Sequence, residues 1–464
     1  MLFNSLEFIL LFFPITLVGY FLLNRLKLTM FAKGWLVLAS LYFYSYWKID
    51  YLPTILFSMI FNYSVGSTLV QKMKLNINRK VIFSIGVIGN VLLLGYFKYF
   101  DFIISNINSI FHQNFNYMNI VLPLGISFFT FQQISYLVDS YKKETKEYDF
   151  LNYALFVTFF PQLIAGPIVH HKEMMPQFES LRNKFLNWKN IYNGLSLFAI
   201  GLFKKVIIAD TVAKWAIAGF GAETPLTFLE SWITMLSYTF QIYYDFSGYT
   251  DMALGLGMMF NIMLPQNFNN PYCALSIQDF WYRWHMTLSK FLKDYLYIPL
   301  GGNRKGSFRT YINLFTVFFT CGLWHGASWM FVSWGILHGV AIIINKFWQK
   351  ICKKENVFFS WILTFVFINF SWVIFNAKSW NEVKNIYKGA LGLNTFAIPN
   401  NLEITSLIVL PLLILIIFIK CFYINKQKTR ISILHTIFIS FLIYLCICFI
   451  AKPSYISPFI YFNF

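Results

Sequence analysis

Three histidines stand in apolar or aromatic surroundings where an imidazole could move a proton. His325 lies in CGLWHGASWMF, in the middle of an apolar run. A neutral imidazole buried there costs some desolvation and an imidazolium far more, so an ionisable group at that depth is a site hypothesis. Its small neighbours Gly322, Gly326 and Ala327 would let a second backbone or a ligand come close. The chemistry that fits is a general base acting on a hydroxyl in a dry cavity; the competing reading is a structural donor. His285 lies in DFWYRWHMTLSKFLKDYLYIPL. On a continuous helix Tyr282, His285 and Ser289 would share one face, Arg283 would pair with Asp279, and Lys290 with Asp294. Trp281 and Trp284 would then anchor that helix at the membrane interface, so a site role and an interfacial role stand side by side for His285. His338, in WGILHG, is thirteen residues beyond His325. That spacing leaves the two about 140° apart on an unbroken helix. They face one site only if the helix breaks, near Gly335 for instance. His112, His170, His171 and His435 flank polar or basic loops and read as surface or interface residues.

Other chemistries are less well supplied. H-E-x-x-H and carboxylate clusters at ligand spacing are absent, so no metal is expected. G-x-S-x-G is absent too, which leaves a hydrolase elbow unsupported. Asp245 and Asp251 in YYDFSGYTD are six apart and could bridge structure, bind a cation or line a pore. GGNRKG (301–306) is not a P-loop; it reads as a basic turn at the inner membrane surface that could attract a phosphate-bearing donor. The six Cys are scattered, form no C-x-x-C and read as small core residues.

The elements that must hold these residues are membrane helices. Of 464 residues, 58% are hydrophobic, 21% aromatic and only 12% charged, where a soluble chain carries about 25% charged residues. A soluble enzyme, a disordered chain and a disulfide-stapled secreted module are thereby excluded. The net charge of +18 would ordinarily raise nucleic acid as a partner. Beside 55 Phe, the Lys and Arg instead mark cytoplasmic loops, and no nucleic-acid partner is expected. Thirteen apolar runs between 5–23 and 432–450 give about nine to twelve spans in one polytopic unit, residues 1–464. The N-terminal run lacks a basic flank before it and carries Glu7, so it reads as a first span entering from outside. Placing most basic connections inside puts both chain ends outside. Residues 240–310 break the pattern, with too many polar groups, Gly and Pro for simple spans. Irregular backbone at membrane depth is tolerated only where protein buries it or water wets it. This region should therefore hold re-entrant and amphipathic segments lining a cavity.

Five stretches together resemble the membrane-bound O-acyltransferase (MBOAT) family, in its bacterial branch of alginate O-acetylation, peptidoglycan O-acetylation and teichoic acid D-alanylation proteins. They are LPLGISFFTFQQISYLVDSYK (122–142), FVTFFPQLIAGPIVHHKEMMPQF (156–178), YYDFSGYTDMALGLGMMFNIMLPQNFNNPY (243–272), DFWYRWHMTLSKFLKDYLYIPLGGNRKG (279–306) and GLWHGASWMFVSWGILHG (322–339). The resemblance implies an all-α polytopic fold, a ring of membrane helices around a thinned centre with a through-going tunnel, and a catalytic core at 240–339. It implies a multi-pass enzyme of the bacterial inner membrane that takes an acyl group from a cytoplasmic thioester and delivers it to an extracytoplasmic polysaccharide. No bound cofactor is expected; acetyl-CoA is the expected donor substrate. The family's invariant His falls on His325 and its second shared His on His285, which would orient or polarise the thioester carbonyl. Lys290, Lys293, Arg304 and Lys305 would hold the donor's phosphates, with Asp245 and Ser289 also facing substrate. An SGNH-type O-acetyltransferase outside the membrane is the implied protein partner.

The tail SPFIYFNF (457–464), within an extracytoplasmic segment 451–464, resembles a short aromatic motif of relatives in which a Tyr is proposed to receive the acyl group. The match falls on Tyr461, whose hydroxyl, with an ordinary pKa near about 10, needs a base to become a nucleophile; an aromatic anchor is the plain alternative. GGNRKG favours acetyl over D-alanyl transfer within the branch. D-alanyl transfer to teichoic acid stays an alternative. So do a transporter of an acylated or lipid-linked intermediate, with Asp245, Asp251 and the histidines as a proton path, and a scaffold for the outer transferase.

Overall fold

The computed structural model describes residues 1–70, 78–144, 149–351, 356–397, 403–422, 432–452 and 459–460. All regular structure among them is helical. Among the described residues seven helices are long and apolar enough to cross a bilayer, including Phe8–Arg25, Arg79–Phe111, Trp329–Ile351, Val357–Asn376 and Ile433–Ile450. Other long helices are interrupted by charge. Phe228–Met259 carries Glu230, Asp245 and Asp251, and Trp188–Phe203 runs on into a π-helical turn holding Lys204 and Lys205. The chain folds as two compact units.

The first unit comprises Met1–Leu202, Tyr249–Pro265 and Ile450–Asn463. Its helices include α1 (Phe13–Arg25), α2 (Thr29–Ser45), α3 (Leu52–Val70), α4 (Arg79–Leu94), α5 (Ile126–Tyr141) and α6 (Phe150–Thr158). Apolar pairing gives no hydrophobic gain between helices already in lipid, so close approach and polar contacts must hold them. Asn62 of α3 and Asn90 of α4 exchange amide hydrogen bonds of 3.1 and 2.6 Å. Gly66 of α3 lies so close to the Tyr136 ring of α5 that a Cβ there would collide with it. Lys33 Nζ of α2 donates to Asn152 Oδ1 of α6 at 2.6 Å. Tyr249 is sandwiched between Phe3 at 4.7 Å and Phe459 at 4.5 Å. Phe459 is therefore the buried anchor of the aromatic tail, whereas Tyr461 lies outside the described residues. His170 and His171 are buried, not at the surface as their loop position implied; His171 packs its ring against Tyr136 and Phe156.

The second unit comprises Phe203–Gly248 and Gln266–Phe449. It contains α7 (Asp210–Phe220), the first part of α8 (Phe228–Met259), then α9 (Ile277–Arg283), α10 (Met286–Leu292), α11 (Gly306–His325), α12 (Trp329–Ile351), α13 (Val357–Asn376) and α14 (Ile404–Phe422). Lys205, just before α7, is buried between Asp245 of α8 at 2.7 Å and Asp210 at 2.8 Å. The irregular segment that leads into α9 is held by several contacts. Tyr272 Oη donates to Thr239 O at 2.6 Å, Trp361 Nε1 of α13 donates to Tyr272 O at 2.9 Å, and Cys273 is joined by a disulfide to Cys421 of α14. That link corrects the reading of every Cys as an unpaired core residue; the partners are 148 positions apart and no local spacing announces them.

Candidate functional site

Local sequence explains where the site helices begin. Ser276 Oγ accepts from Asp279 N at 3.1 Å while Asp279 Oδ2 accepts from Leu275 N at 3.1 Å, a reciprocal cap that starts α9. Arg283 Nε also donates to Asp279 Oδ1 at 2.8 Å, the expected i,i+4 pair. The helix then stops, against expectation. Trp284 is extended and His285 adopts the left-handed conformation, φ 43° and ψ 54°. No Gly or Pro causes this break; Asn267 does. Its backbone carbonyl accepts from Met286 N at 2.9 Å, and its side-chain Oδ1 accepts from Thr287 N at 3.2 Å and Thr287 Oγ1 at 2.9 Å. Two of the orphan N–H groups at the start of α10 are thus satisfied from Asn267, far upstream in the sequence. The one amphipathic helix expected over this stretch is two short helices hinged at His285.

The hinge fixes the imidazole. His285 is fully buried, with its Nδ1 3.1 Å from Asn267 Oδ1 and its ring edge-on to Phe246 at 4.9 Å. A carbonyl oxygen only accepts, so Nδ1 carries the proton and the lone pair lies on Nε2. Burial pushes this imidazole down to about 3, well under its ordinary 6.5, so the ring is neutral at physiological pH. Trp281 and Trp284, expected at the interface, are buried too, at 7% and 1% exposure. They belong to an aromatic block in which Trp284 meets Phe268 at 5.1 Å and Trp372 at 5.0 Å.

His325 ends α11. Gly326 is fully extended and Ser328 Oγ accepts from Phe331 N at 3.4 Å, which starts α12 afresh. Gly322 and Gly335 let the two helices touch: a Cβ on Gly322 would lie 2.9 Å from the Gly335 Cα. The break expected near Gly335 falls instead at 326–328, and its effect on the histidines is the one it would need to have. His325 and His338 both face Trp334, with ring centroids 5.2 and 4.6 Å from it. His325 is further enclosed by Trp324 at 4.9 Å and Phe375 at 5.1 Å. His338 accepts the Trp281 indole N–H on Nδ1 at 3.2 Å. Trp324 bridges the pair of expected site histidines, since it also lies 6.2 Å from the His285 ring.

Beside these rings is a cavity of about 490 Å³. Its lining includes the cations Lys293, Arg304 and Lys346 and the apolar side chains of Trp281, Phe318 and Ile342, while His285, His325 and His338 are not part of that lining. Ser289 and Cys321 are in its wall, and each is one helical turn from a histidine: Ser289 N donates to His285 O, and Cys321 precedes His325 by four residues on α11. Of the residues expected to face substrate, Ser289, Lys293 and Arg304 line this cavity. Lys290 and Lys305 are exposed outside its lining, and Asp245 is committed to Lys205. Asn267, Trp281, Trp334 and Lys346 escaped the sequence reading of the site. Among the described residues no three His, Cys, Asp or Glu side chains are grouped to hold a metal.

Comparison with known proteins now decides the family. The family profile described as "MBOAT, membrane-bound O-acyltransferase family" matches residues 19–381. The chain belongs to the membrane-bound O-acyltransferase family. As an MBOAT protein it is a multi-pass membrane O-acyltransferase, and the matched region includes His285, His325, His338 and the whole cavity lining. It is 49% identical over 424 residues to a peptidoglycan O-acetyltransferase of Helicobacter pylori, covering 85% of this chain and 80% of the relative. It is 36% identical over 443 residues to a probable alginate O-acetylase AlgI of Pseudomonas aeruginosa, covering 93% and 84%. A teichoic acid D-alanyltransferase of Bacillus subtilis matches at 28% over 282 residues, 57% of this chain and 71% of the relative.

Proposed function

We propose that this MBOAT protein moves an acetyl group from a cytoplasmic thioester across the bacterial inner membrane for O-acetylation of an extracytoplasmic polysaccharide. The observation that carries the reading is the cavity whose wall lies one turn from both His285 and His325 and whose lining includes Lys293, Arg304 and Lys346. Lys293, Arg304 and Lys346 suit the phosphates of a nucleotide thioester such as acetyl-CoA, and an excess of Lys and Arg is what marks cytoplasmic loops. The acetyl group and the polysaccharide acceptor follow the names of the two relatives that match over most of both chains; of the two acceptors those names give, peptidoglycan has the higher identity behind it.

In the proposed cycle His325 takes the proton of the acceptor hydroxyl as the new C–O bond forms and the thioester C–S bond breaks. His325 then gives that same proton to the departing thiolate, which leaves as the free thiol; His285, neutral and with its lone pair on Nε2, offers a hydrogen-bond acceptor that orients the hydroxyl. Polarising the thioester carbonyl, the role the resemblance implied, would need the protonated ring. Tyr461 is the proposed acceptor of the acyl group on the outer side, with an SGNH-type transferase as the partner that passes it to the sugar. The purified protein in detergent tests the reading: it should release free thiol from acetyl-CoA in the presence of a hydroxyl acceptor, and His325→Ala should not. An intact thioester with the unaltered protein would favour transport over transfer, and full turnover by the variant would remove His325 from the chemistry.

A further inference from the structure

We propose that Trp281, locked by His338, is the gauge that limits the length of the acyl group this enzyme accepts. The proposal rests on the donor cavity described above. That cavity is of mixed character, lined by Lys293, Arg304 and Lys346 together with Trp281, Phe318 and Ile342. A thioester with phosphates on its long arm must place the arm against the charges, which leaves the uncharged acyl end to the apolar side chains. Trp281 forms a wall there, and it is held on several sides. Its indole N–H donates to His338 Nδ1 at 3.2 Å, its ring meets Phe318 at 5.0 Å, and Trp334 closes behind it at 5.8 Å.

The hydrogen bond makes the wall rigid. An indole nitrogen can only donate, and a buried donor that loses its acceptor suffers the full desolvation penalty. Trp281 is 7% exposed, so swinging the ring aside to admit a longer chain would break that bond inside the protein. Behind the ring stand His338 and Trp334, and Trp334 is in turn in contact with His325. Trimming the indole would open the cavity towards that space. His338 is accordingly a positioning residue: it acts on the acyl group through Trp281.

The test measures thiol release from acetyl-, propionyl- and butyryl-CoA by the full-length protein in detergent. A single methylene in an apolar pocket is discriminated by about tenfold or more. The unaltered enzyme should lose at least about that factor from acetyl to propionyl, and Trp281→Phe should recover most of it. His338→Ala should relax the ratio in the same direction, and His338→Gln, whose side-chain oxygen can still accept from the indole, should restore it. Acyl ratios unchanged by Trp281→Phe, or unaffected by His338→Ala, would overturn the gauge. Trp281→Ala is the larger change; should it fail to fold, Trp281→Phe alone decides. Lys293→Gln combined with Arg304→Gln separates this inference from the reading beneath it. A raised KM for acetyl-CoA with the acyl ratio intact supports the donor cavity, and a flat acyl ratio in the Trp281 variants then removes the gauge alone. An unchanged KM removes the donor cavity, and the gauge with it.

Discussion

His285 meets a polar hub and His325 a cluster of aromatic rings. At His285 the ring is held by a polar hub: Asn267 Oδ1 serves the imidazole, a backbone N–H and a hydroxyl together. At His325 the ring stands among Trp324, Trp334 and Phe375, with edge-to-face contacts of 4.9 to 5.2 Å. Hydrogen bonding sets which nitrogen bears the proton, whereas ring packing sets only the plane of the imidazole. A group that must start every cycle in one protonation pattern needs the first kind of support.

The comparison can be broken in order of effect. His325→Ala should lower acyl transfer by roughly 10²- to 10⁴-fold, the range for a general base, while expression and detergent solubility stay normal; assay of acceptor acetylation checks it. Asn267→Ala strips Oδ1 from three donors, and each buried group left unsatisfied costs about 1–3 kcal/mol. It should lower the thermal midpoint and the activity together, whereas Asn267→Asp, which keeps an oxygen there, should retain more of both. Ser276→Ala removes the α9 cap, worth about 1 kcal/mol, and should shift the midpoint with little change in turnover. Lys346→Gln should raise KM for acetyl-CoA by only a few-fold, a difference that fades as salt screens it.

Acid probes the burial of His285. Unfolding returns His285 from a buried pKa of about 3 to an ordinary 6.5, so the unfolded chain binds the extra proton first. The stability linked to this group is present above pH 6.5 and is lost as pH falls towards about 3. His285→Asn should flatten that part of the acid unfolding curve, and an unchanged slope would mean the ring is not buried neutral.

Much of this molecule was legible before its fold was seen, and the failures have physical causes. Hydropathy and the low charged fraction gave an all-helical membrane chain, and the unusual polarity of 240–310 located the hinge and much of the cavity lining. The hinge itself was hidden because Asn267 imposes it from a distant segment, with no Gly or Pro at 284–285. Trp281 and Trp284 looked like interface anchors because amphipathic spacing cannot tell a belt from an aromatic core; only the facing Trp334 and Trp372 decide that. His325 and His338 looked divergent because a three-residue interruption resets helical phase, and Ser328 as a cap outweighed the more conspicuous Gly335.

The left-handed backbone at His285 restricts the repertoire open to that position. Gly enters this conformation freely, Asn and Asp tolerate it, and β-branched residues are all but excluded. Orienting a hydroxyl imposes a second filter, a side chain with both a donor and an acceptor on a rigid frame. His is the residue that passes both. At His325, which closes an ordinary helix, the backbone imposes no such filter. An engineer seeking a new nucleophile should therefore begin at 325, because most replacements at 285 would also redraw the turn that presents Thr287 and Ser289.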